Sequence, residues 1–229
     1  IMNITVVGAG YVGLTLAAVL ADFGHRVWVV RKDKEKNKAL KNGKIHFYEP
    51  GLRELVKRGL KSGRFLPTTE YQEAVFQSEV VFIAVGTPSL SSGEVDLSQV
   101  FNVAGQIGRS LKAGYTVVVV KSTAPPGTTR KVAQIINKIK KPAVKFDIAF
   151  CPEFLREGVA VKDMVRPDRV VIGAENPRAI KILKELHRGF RAPILITKIE
   201  SAELIKYGAN SFLATKISFA NAFSLLCEK

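Results

Sequence analysis

A doubly wound α/β fold with a mostly parallel sheet, followed by a long C-terminal helix, is predicted by three features of the sequence. The chain opens on a short β-rich run, Asn3 to Val7, a glycine turn, Gly8-Ala9-Gly10-Tyr11-Val12-Gly13, and a helix-compatible stretch from Leu14 to Phe23. Val80 to Val85 and Thr116 to Val120 are almost uninterrupted apolar runs of strand length, as expected of strands covered on both faces in a parallel sheet. Strand and helix patterns then alternate as far as Thr197, and from about Glu200 the chain reads as helix alone.

The glycine turn fits the G-x-G-x-x-G pattern of dinucleotide sites. Gly8 permits the tight turn, Gly10 lets a pyrophosphate approach the backbone, and Gly13 lets the helix lie close to the strand. A bland turn could also carry three glycines, but here a strand precedes them and a second strand, Arg26 to Val30, follows the helix after Gly24. Next come Arg31-Lys32-Asp33, a charged helix to about Asn42 closed by Gly43, and Tyr48-Glu49-Pro50-Gly51-Leu52 leading into a helix through about Leu60. Thr68 and Thr69 are placed to cap a short helix from Tyr71 to Phe76. Gly86-Thr87-Pro88 ends the Val80 strand, and Asp96 can cap a helix to about Leu111. Lys121-Ser122-Thr123-Ala124-Pro125-Pro126-Gly127 leads from the Thr116 strand into a basic amphipathic helix ending near Ile139. Asp147 to Phe150, Arg169 to Ile172 and Ile194 to Thr197 read as further strands, with a helix from Pro177 to His187. Ligands of such sheets lie beyond the carboxyl ends of the strands, so Gly8 to Gly13, Gly86 to Pro88, Lys121 to Thr123 and Pro152 to Glu157 are expected along one rim.

At 229 residues, 47% hydrophobic and 24% charged, the chain can bury a substantial core. Its apolar runs are short and interrupted, which argues against a membrane span or a signal peptide and for the cytoplasm. The formal charge of +15 raises nucleic acid as a partner, but the lysines and arginines are spread along solvated helix faces without an organising motif. Cys151 and Cys227 match no zinc spacing and read as free thiols, and His25, His46 and His187 share no ligand spacing, so no metal is expected. In the terminal segment Ile205, Phe212, Leu213, Ile217, Phe219, Phe223 and Leu226 spread around much of the helix, more than one core-facing stripe requires. A partner or a further domain is expected to cover them. The helical pattern running to the last residue is read as a chain interrupted within a helix, with a dinucleotide-binding domain over 1–198 and the start of a helical dimerisation region over 199–229.

Together these stretches, with Pro152-Glu153-Phe154-Leu155-Arg156-Glu157-Gly158 and Lys206 with Asn210, resemble the UDP-glucose/GDP-mannose dehydrogenase family along essentially all 229 residues. The resemblance implies an NAD-dependent enzyme that oxidises the C6 alcohol of a nucleotide sugar to a carboxylate and works as a homodimer. It favours UDP-glucose, with GDP-mannose and UDP-N-acetyl sugars as alternatives. It implies cofactor contacts at Gly8, Gly10, Tyr11, Val12, Gly13, Lys36, Thr87, Pro88, Ser122, Thr123 and Glu157. It lays Glu153, Phe154, Leu155, Arg156 and Glu157 along the sugar nucleotide, with acid/base work for Glu153 and a water-holding role for Thr123. Lys206 and Asn210, four residues apart, would share a helix face and stabilise the developing oxyanion. Glu153 and Glu157 have the same spacing and would share a face if their stretch is helical. A module that binds a dinucleotide without turnover is the non-enzymatic alternative.

Two departures stand out. Where the fingerprint expects an acid to hold the adenosine ribose, this chain has Arg31, which can accommodate a 2′-phosphate, so NADP stands beside NAD as a cofactor. Alternatively Asp33 or backbone groups hold the ribose and NAD still binds. The family's nucleophilic cysteine motif, Gly-Phe-Gly-Gly-x-Cys, is also missing, and neither Cys151 nor Cys227 sits in such a context. Without that thiol the second oxidation has no covalent route. The 229-residue chain alone is therefore expected to form no UDP-glucuronate from UDP-glucose and NAD. Chromatographic detection of robust product would overturn this expectation.

Overall fold

The computed structural model describes residues 1–228. Eight strands form one sheet in the order β3-β2-β1-β4-β5-β6-β7-β8, where β1 is Asn3–Val7, β2 Arg26–Val30, β3 Phe65–Thr68, β4 Val80–Ile83, β5 Gly114–Val120, β6 Val144–Phe150, β7 Val170–Gly173 and β8 Ile194–Thr197. Pairing is parallel from β3 through β6 and again between β7 and β8. A single antiparallel pair, Phe150 with Gly173, joins the two blocks. All four residues of β4 and Val117–Val120 of β5 are buried, as their unbroken apolar runs predict.

Helices cover both faces. The helices α1 (Tyr11–Asp22), α2 (Lys34–Lys41), α3 (Leu52–Lys61), α7 (Ala160–Val165) and α8 (Pro177–Leu186) pack one cluster, including Leu14, Leu40, Val56, Met164 and Leu183. The helices α4 (Tyr71–Gln77), α5 (Ser98–Ser110), α6 (Thr128–Ile139) and the start of α9 (Ile199–Cys227) pack the other, including Val75, Val103, Ile136 and Ala202. Every parallel connection requires a crossover; those up to β3 lie on one face, those from β3 to β6 on the other, and α7 and α8 return to the first, so both faces are buried.

Two elements differ from the sequence reading. Phe65–Thr68 is a strand rather than a lead-in to a helix cap, because Phe65 fills the core beside β2 and the Arg64 carbonyl accepts from Val27 N–H. Its Pro67 is tolerated because β3 is an edge strand. Thr68 still acts locally, its Oγ1 accepting from Glu70 N–H at 3.1 Å. Ala160–Val165 forms the short α7 in a stretch left without an element, closing over the core through Ala160 and Met164.

The first turns of α9 are locked to the sheet. Glu203, fully buried, accepts from Gly127 N–H at 2.7 Å, Thr129 N–H at 2.9 Å and Thr129 Oγ1 at 2.6 Å, so its carboxylate caps α6 from another helix. A carboxylate at a helix N-terminus is favoured both by the orphan N–H groups and by the macrodipole. Outside this capping site, Arg130 bonds Glu200 at 2.8 Å and also grips Glu175. Gly173 lets the helix approach, since a Cβ there would lie 2.7 Å from Ala202 Cβ and 2.9 Å from Ile199 Cα. Farther along, Phe212, Leu213, Ile217, Phe219, Phe223 and Leu226 are exposed. Among the described residues no helix is long and apolar enough to cross a membrane.

Glu203→Ala is expected to cost about 3 kcal/mol, because it strands buried donors at the end of α6. Denaturant titration measures the loss, and amide exchange at Gly127 and Thr129 should accelerate. Unchanged stability and exchange would show that the carboxylate does not hold α9 to α6.

Candidate functional site

The glycine turn lies between the ends of β1 and β4. Gly8 has φ of 111°, donates to Val30 O at 3.0 Å, and an added Cβ would sit 2.2 Å from Ala84 O. A Cβ on Gly13 would lie 2.1 Å from Gly8 O, so helix and strand touch through backbone. Gly10 differs: a Cβ there meets nothing within 4 Å, and Gly10 caps α1 with no side chain bonded to the helix N-terminus. The free N–H groups at Tyr11 and Val12 therefore open on vacant space beside Gly10, which suits a pyrophosphate. The same cleft is lined by Val30, Arg31, Asp33, Gly86 and Asn102.

The loops expected on one rim are joined by hydrogen bonds. Thr87 Oγ1 donates to Thr123 O at 2.9 Å, Ser122 Oγ donates to Val85 O at 2.7 Å, and Pro88 O accepts from Asp96 N–H at 2.8 Å. Lys121, buried, reaches Cys151 O at 3.2 Å and Pro152 O at 3.4 Å, tying the end of β5 to the loop after β6. That loop, residues 151–156, is irregular, so the shared helical face expected of Glu153 and Glu157 is not formed. Pro152 starts the loop, and its carbonyls serve Lys121 instead of a helix. Glu153 turns inward, its Oε2 accepting from Leu155 N–H at 2.6 Å and its Oε1 lying 2.9 Å from Lys206 Nζ. Glu157 is exposed.

The Glu153–Lys206 pair is nearly sealed, with side chains 14% and 6% exposed. Phe154 is close to two cations: Lys206 Nζ is 5.3 Å and the Arg169 guanidinium carbon 4.2 Å from its ring centroid. Asn210, one turn beyond Lys206, is exposed, and no hydrogen bond holds its side chain among the described residues. The helix has by then left the body of the domain. Arg156 is committed to a two-pronged bond with Asp163, and Leu155 packs against the core. Lys36 is exposed on α2, and Asp33 caps that helix by accepting from Lys36 N–H at 2.9 Å.

Two carboxylates that organise the site had no role assigned from sequence. Glu49, buried, accepts a short hydrogen bond from the Tyr11 hydroxyl and bonds from Gly158 N–H at 2.9 Å and Val161 N–H at 3.4 Å. Gly158 N–H also donates to the Tyr11 oxygen at 2.7 Å, so the first turn of α1 and the end of the Glu153 loop share one knot. Desolvation, and after it the Glu49 carboxylate, pushes the Tyr11 hydroxyl up to about 12. Glu203 is the second, one turn before Lys206. A charged pair three residues apart, Glu203 directly after Ala202 and Lys206 directly after Ile205, was the available signal for it, because an acid on the apolar side of a helix needs donors.

Beneath the loop, Cys151 Sγ lies 3.7 Å from His187 Nε2, and His187 Nδ1 lies 2.8 Å from Leu183 O. Burial, aided by the Lys121 charge, lowers the imidazole to about 4, and burial raises the thiol. The pair is neutral at pH 7, with Nδ1–H donating to the carbonyl.

Residues 2–191 match the NAD binding domain of the UDP-glucose/GDP-mannose dehydrogenase family, and residues 200–229 match its central domain. The chain is 45% identical over 227 residues to UDP-glucose 6-dehydrogenase TuaD of Bacillus subtilis, covering 99% of this chain and 49% of that protein. It is 47% identical to UDP-glucose 6-dehydrogenase of Rhizobium meliloti, covering 100% and 53%. The chain spans about half the length of the curated relatives it matches. Among solved structures, a UDP-glucose dehydrogenase from the hyperthermophilic archaeon Pyrobaculum islandicum superposes with a TM-score of 0.96 at 44% identity, covering 99% of this chain and 53% of that one. A ternary complex of GDP-mannose dehydrogenase from Pseudomonas aeruginosa gives 0.92 at 40% identity, covering 96% and 52%.

The histidine has a testable sign. Its ordinary value is 6.5 and the folded value about 4, so the unfolded chain binds a proton first as pH falls. The stability this difference supplies is complete above pH 6.5 and is lost between 6.5 and 4, by about 3 kcal/mol. His187→Gln should lose less than the parent over that window in denaturant titrations at pH 7 and pH 4.5. Equal losses would show that His187 does not titrate this way.

Proposed function

This chain belongs to the UDP-glucose/GDP-mannose dehydrogenase family, and from that membership we propose that it carries the dinucleotide site and part of the substrate site of a nucleotide-sugar 6-dehydrogenase. UDP-glucose is the favoured substrate. Identities of 38–47% to proteins named for UDP-glucose or GDP-mannose, against 28–30% to structures named for N-acetyl sugars, support the first two over the last. Residues 1–198 form the dinucleotide unit in this reading, and 199–229 begin a helical region that meets a second copy through the exposed apolar side of α9.

The observation that carries the proposal is the Glu153–Lys206 pair, shielded where the loop after β6 meets α9, while Thr87, Ser122 and Thr123 are bonded into the loops after β4 and β5. The bound dinucleotide supplies a hydride acceptor for C6 of the sugar. Lys206 Nζ, held by Glu153 until substrate enters, then stabilises negative charge on the C6 oxygen, with the Asn210 amide as a second donor. Glu153, released from Lys206 as substrate enters, accepts or returns a proton at its Oε1, and the Thr123 hydroxyl orients water. The backbone of Phe154 to Glu157, held by Tyr11 and Glu49 through Gly158, lies along the nucleotide sugar.

Gly10→Ala tests the dinucleotide site apart from folding. The added Cβ meets no protein atom, so stability should change by less than about 1 kcal/mol. NADH or NADPH affinity by calorimetry should nevertheless fall at least tenfold, because the methyl occupies the pyrophosphate approach. Undiminished affinity, or no saturable binding by the parent chain, would overturn the proposal.

A further inference from the structure

The end of β2 departs from what an NAD site needs. An unphosphorylated adenosine ribose is held there by a carboxylate that accepts from its hydroxyls. Here the first residue past β2 is Arg31. The nearest acid, Asp33, is already engaged: its Oδ1 accepts from Lys36 N–H at 2.9 Å as the cap of α2, and its Oδ2 lies 3.7 Å from Lys36 Nζ. Capping by that N–H, with the neighbouring cations Lys36 and Arg31, holds its carboxyl below the usual range. Turning it toward a ribose would uncap the helix. Among the described residues no other carboxylate lines the cleft beside Gly8 to Gly10, which Arg31 and Lys32 also line.

The arginine is already aimed. Its Nη1 donates to Ala9 O in the glycine turn at 3.2 Å and lies 3.2 Å from His46 Nδ1. Burial, together with the Arg31 and Lys36 charges, lowers the His46 pKa and so favours the neutral ring that can accept from the guanidinium. These contacts occupy one nitrogen. Among the described residues Nε and Nη2 have no protein acceptor, leaving three N–H groups for a planar, two-pronged bond. Lys32 and Lys36 add positive charge on either side of Asp33.

We infer that Arg31, tethered to Ala9 and His46 and flanked by Lys32 and Lys36, reads the 2′-phosphate of an NADP-type dinucleotide in preference to NAD. The inference rests on the dinucleotide reading above and adds the identity of the adenosine-side group. No covalent step is involved; a guanidinium–phosphate bond takes the place of a carboxylate–hydroxyl bond.

The test is calorimetric titration of the parent chain and of Arg31→Asp with NADH and NADPH at fixed salt, together with adenosine 2′,5′-bisphosphate as a probe lacking nicotinamide. NADPH should bind the parent at least tenfold more tightly than NADH, and the bisphosphate should compete with it. Arg31→Asp should reverse the order by a similar factor and abolish the bisphosphate competition. NADH binding the parent as tightly as NADPH would overturn the inference and leave the dinucleotide reading intact. A preference for NADPH that survives Arg31→Asp would remove Arg31 as the reader. Failure of both dinucleotides to bind the parent would overturn the inference and the dinucleotide reading together.

Discussion

The geometry of the rim depends on one buried carboxylate. Glu203 leaves water to accept three bonds at the N-terminus of α6, and a charge that has left water must keep its donors. That requirement fixes the axial position and rotation of α9 against the sheet, while Gly173 sets how closely it approaches. Lys206 follows three residues later on nearly the same face, and its only way to remain charged while 6% exposed is a close anion, which Glu153 supplies at 2.9 Å. The catalytic pair in our reading is therefore a consequence of a cap elsewhere.

A second constraint acts from the opposite end of the site. Tyr11 belongs to the turn that opens toward the dinucleotide, and Glu49 precedes α3, yet both bond Gly158 at the end of the Glu153 loop. With Lys121 holding the carbonyls at the other end, the loop is pinned at both ends. It can be irregular and still ordered because its polar groups are satisfied by side chains from α1, the residue after β5 and the segment before α3. In such an arrangement the glycine-turn side and the Glu153-loop side of the rim share hydrogen bonds through Gly158.

Much of the fold was legible in the chain. Nearly unbroken apolar runs specified β4 and β5, and the spacing of Gly8, Gly10 and Gly13 specified a strand-turn-helix, in which the structure shows backbone contact at two glycines and open space at the third. The exposed apolar residues of the outer α9 were visible as a pattern too broad for one face. The rim was anticipated because parallel strands share a direction, so their C-terminal loops share an edge. Phe65–Thr68 has no strand signal of its own because Pro67 interrupts it and Thr68, with Thr69 after it, reads as a helix cap, and only pairing with β2 makes it a strand. Residues 160–165 are too short to show a helical period.

What the sequence determined by itself were the features that repeat locally: strand runs, helix periods, glycine turns, the basic residue past β2 and the spacing of Lys206 and Asn210. Which groups face each other was decided only by the tertiary structure. Glu153 and Glu157 have the spacing of helical partners and are parted by an irregular loop, while Glu153 and Lys206, 53 positions apart, meet at 2.9 Å. Glu49 and Glu203 have ordinary neighbours in the chain, and their importance arises from donors on other elements. Periodicity is a property of neighbouring residues and is written in the sequence. The satisfaction of a buried charge is a property of the surroundings, and these exist only once the chain has folded.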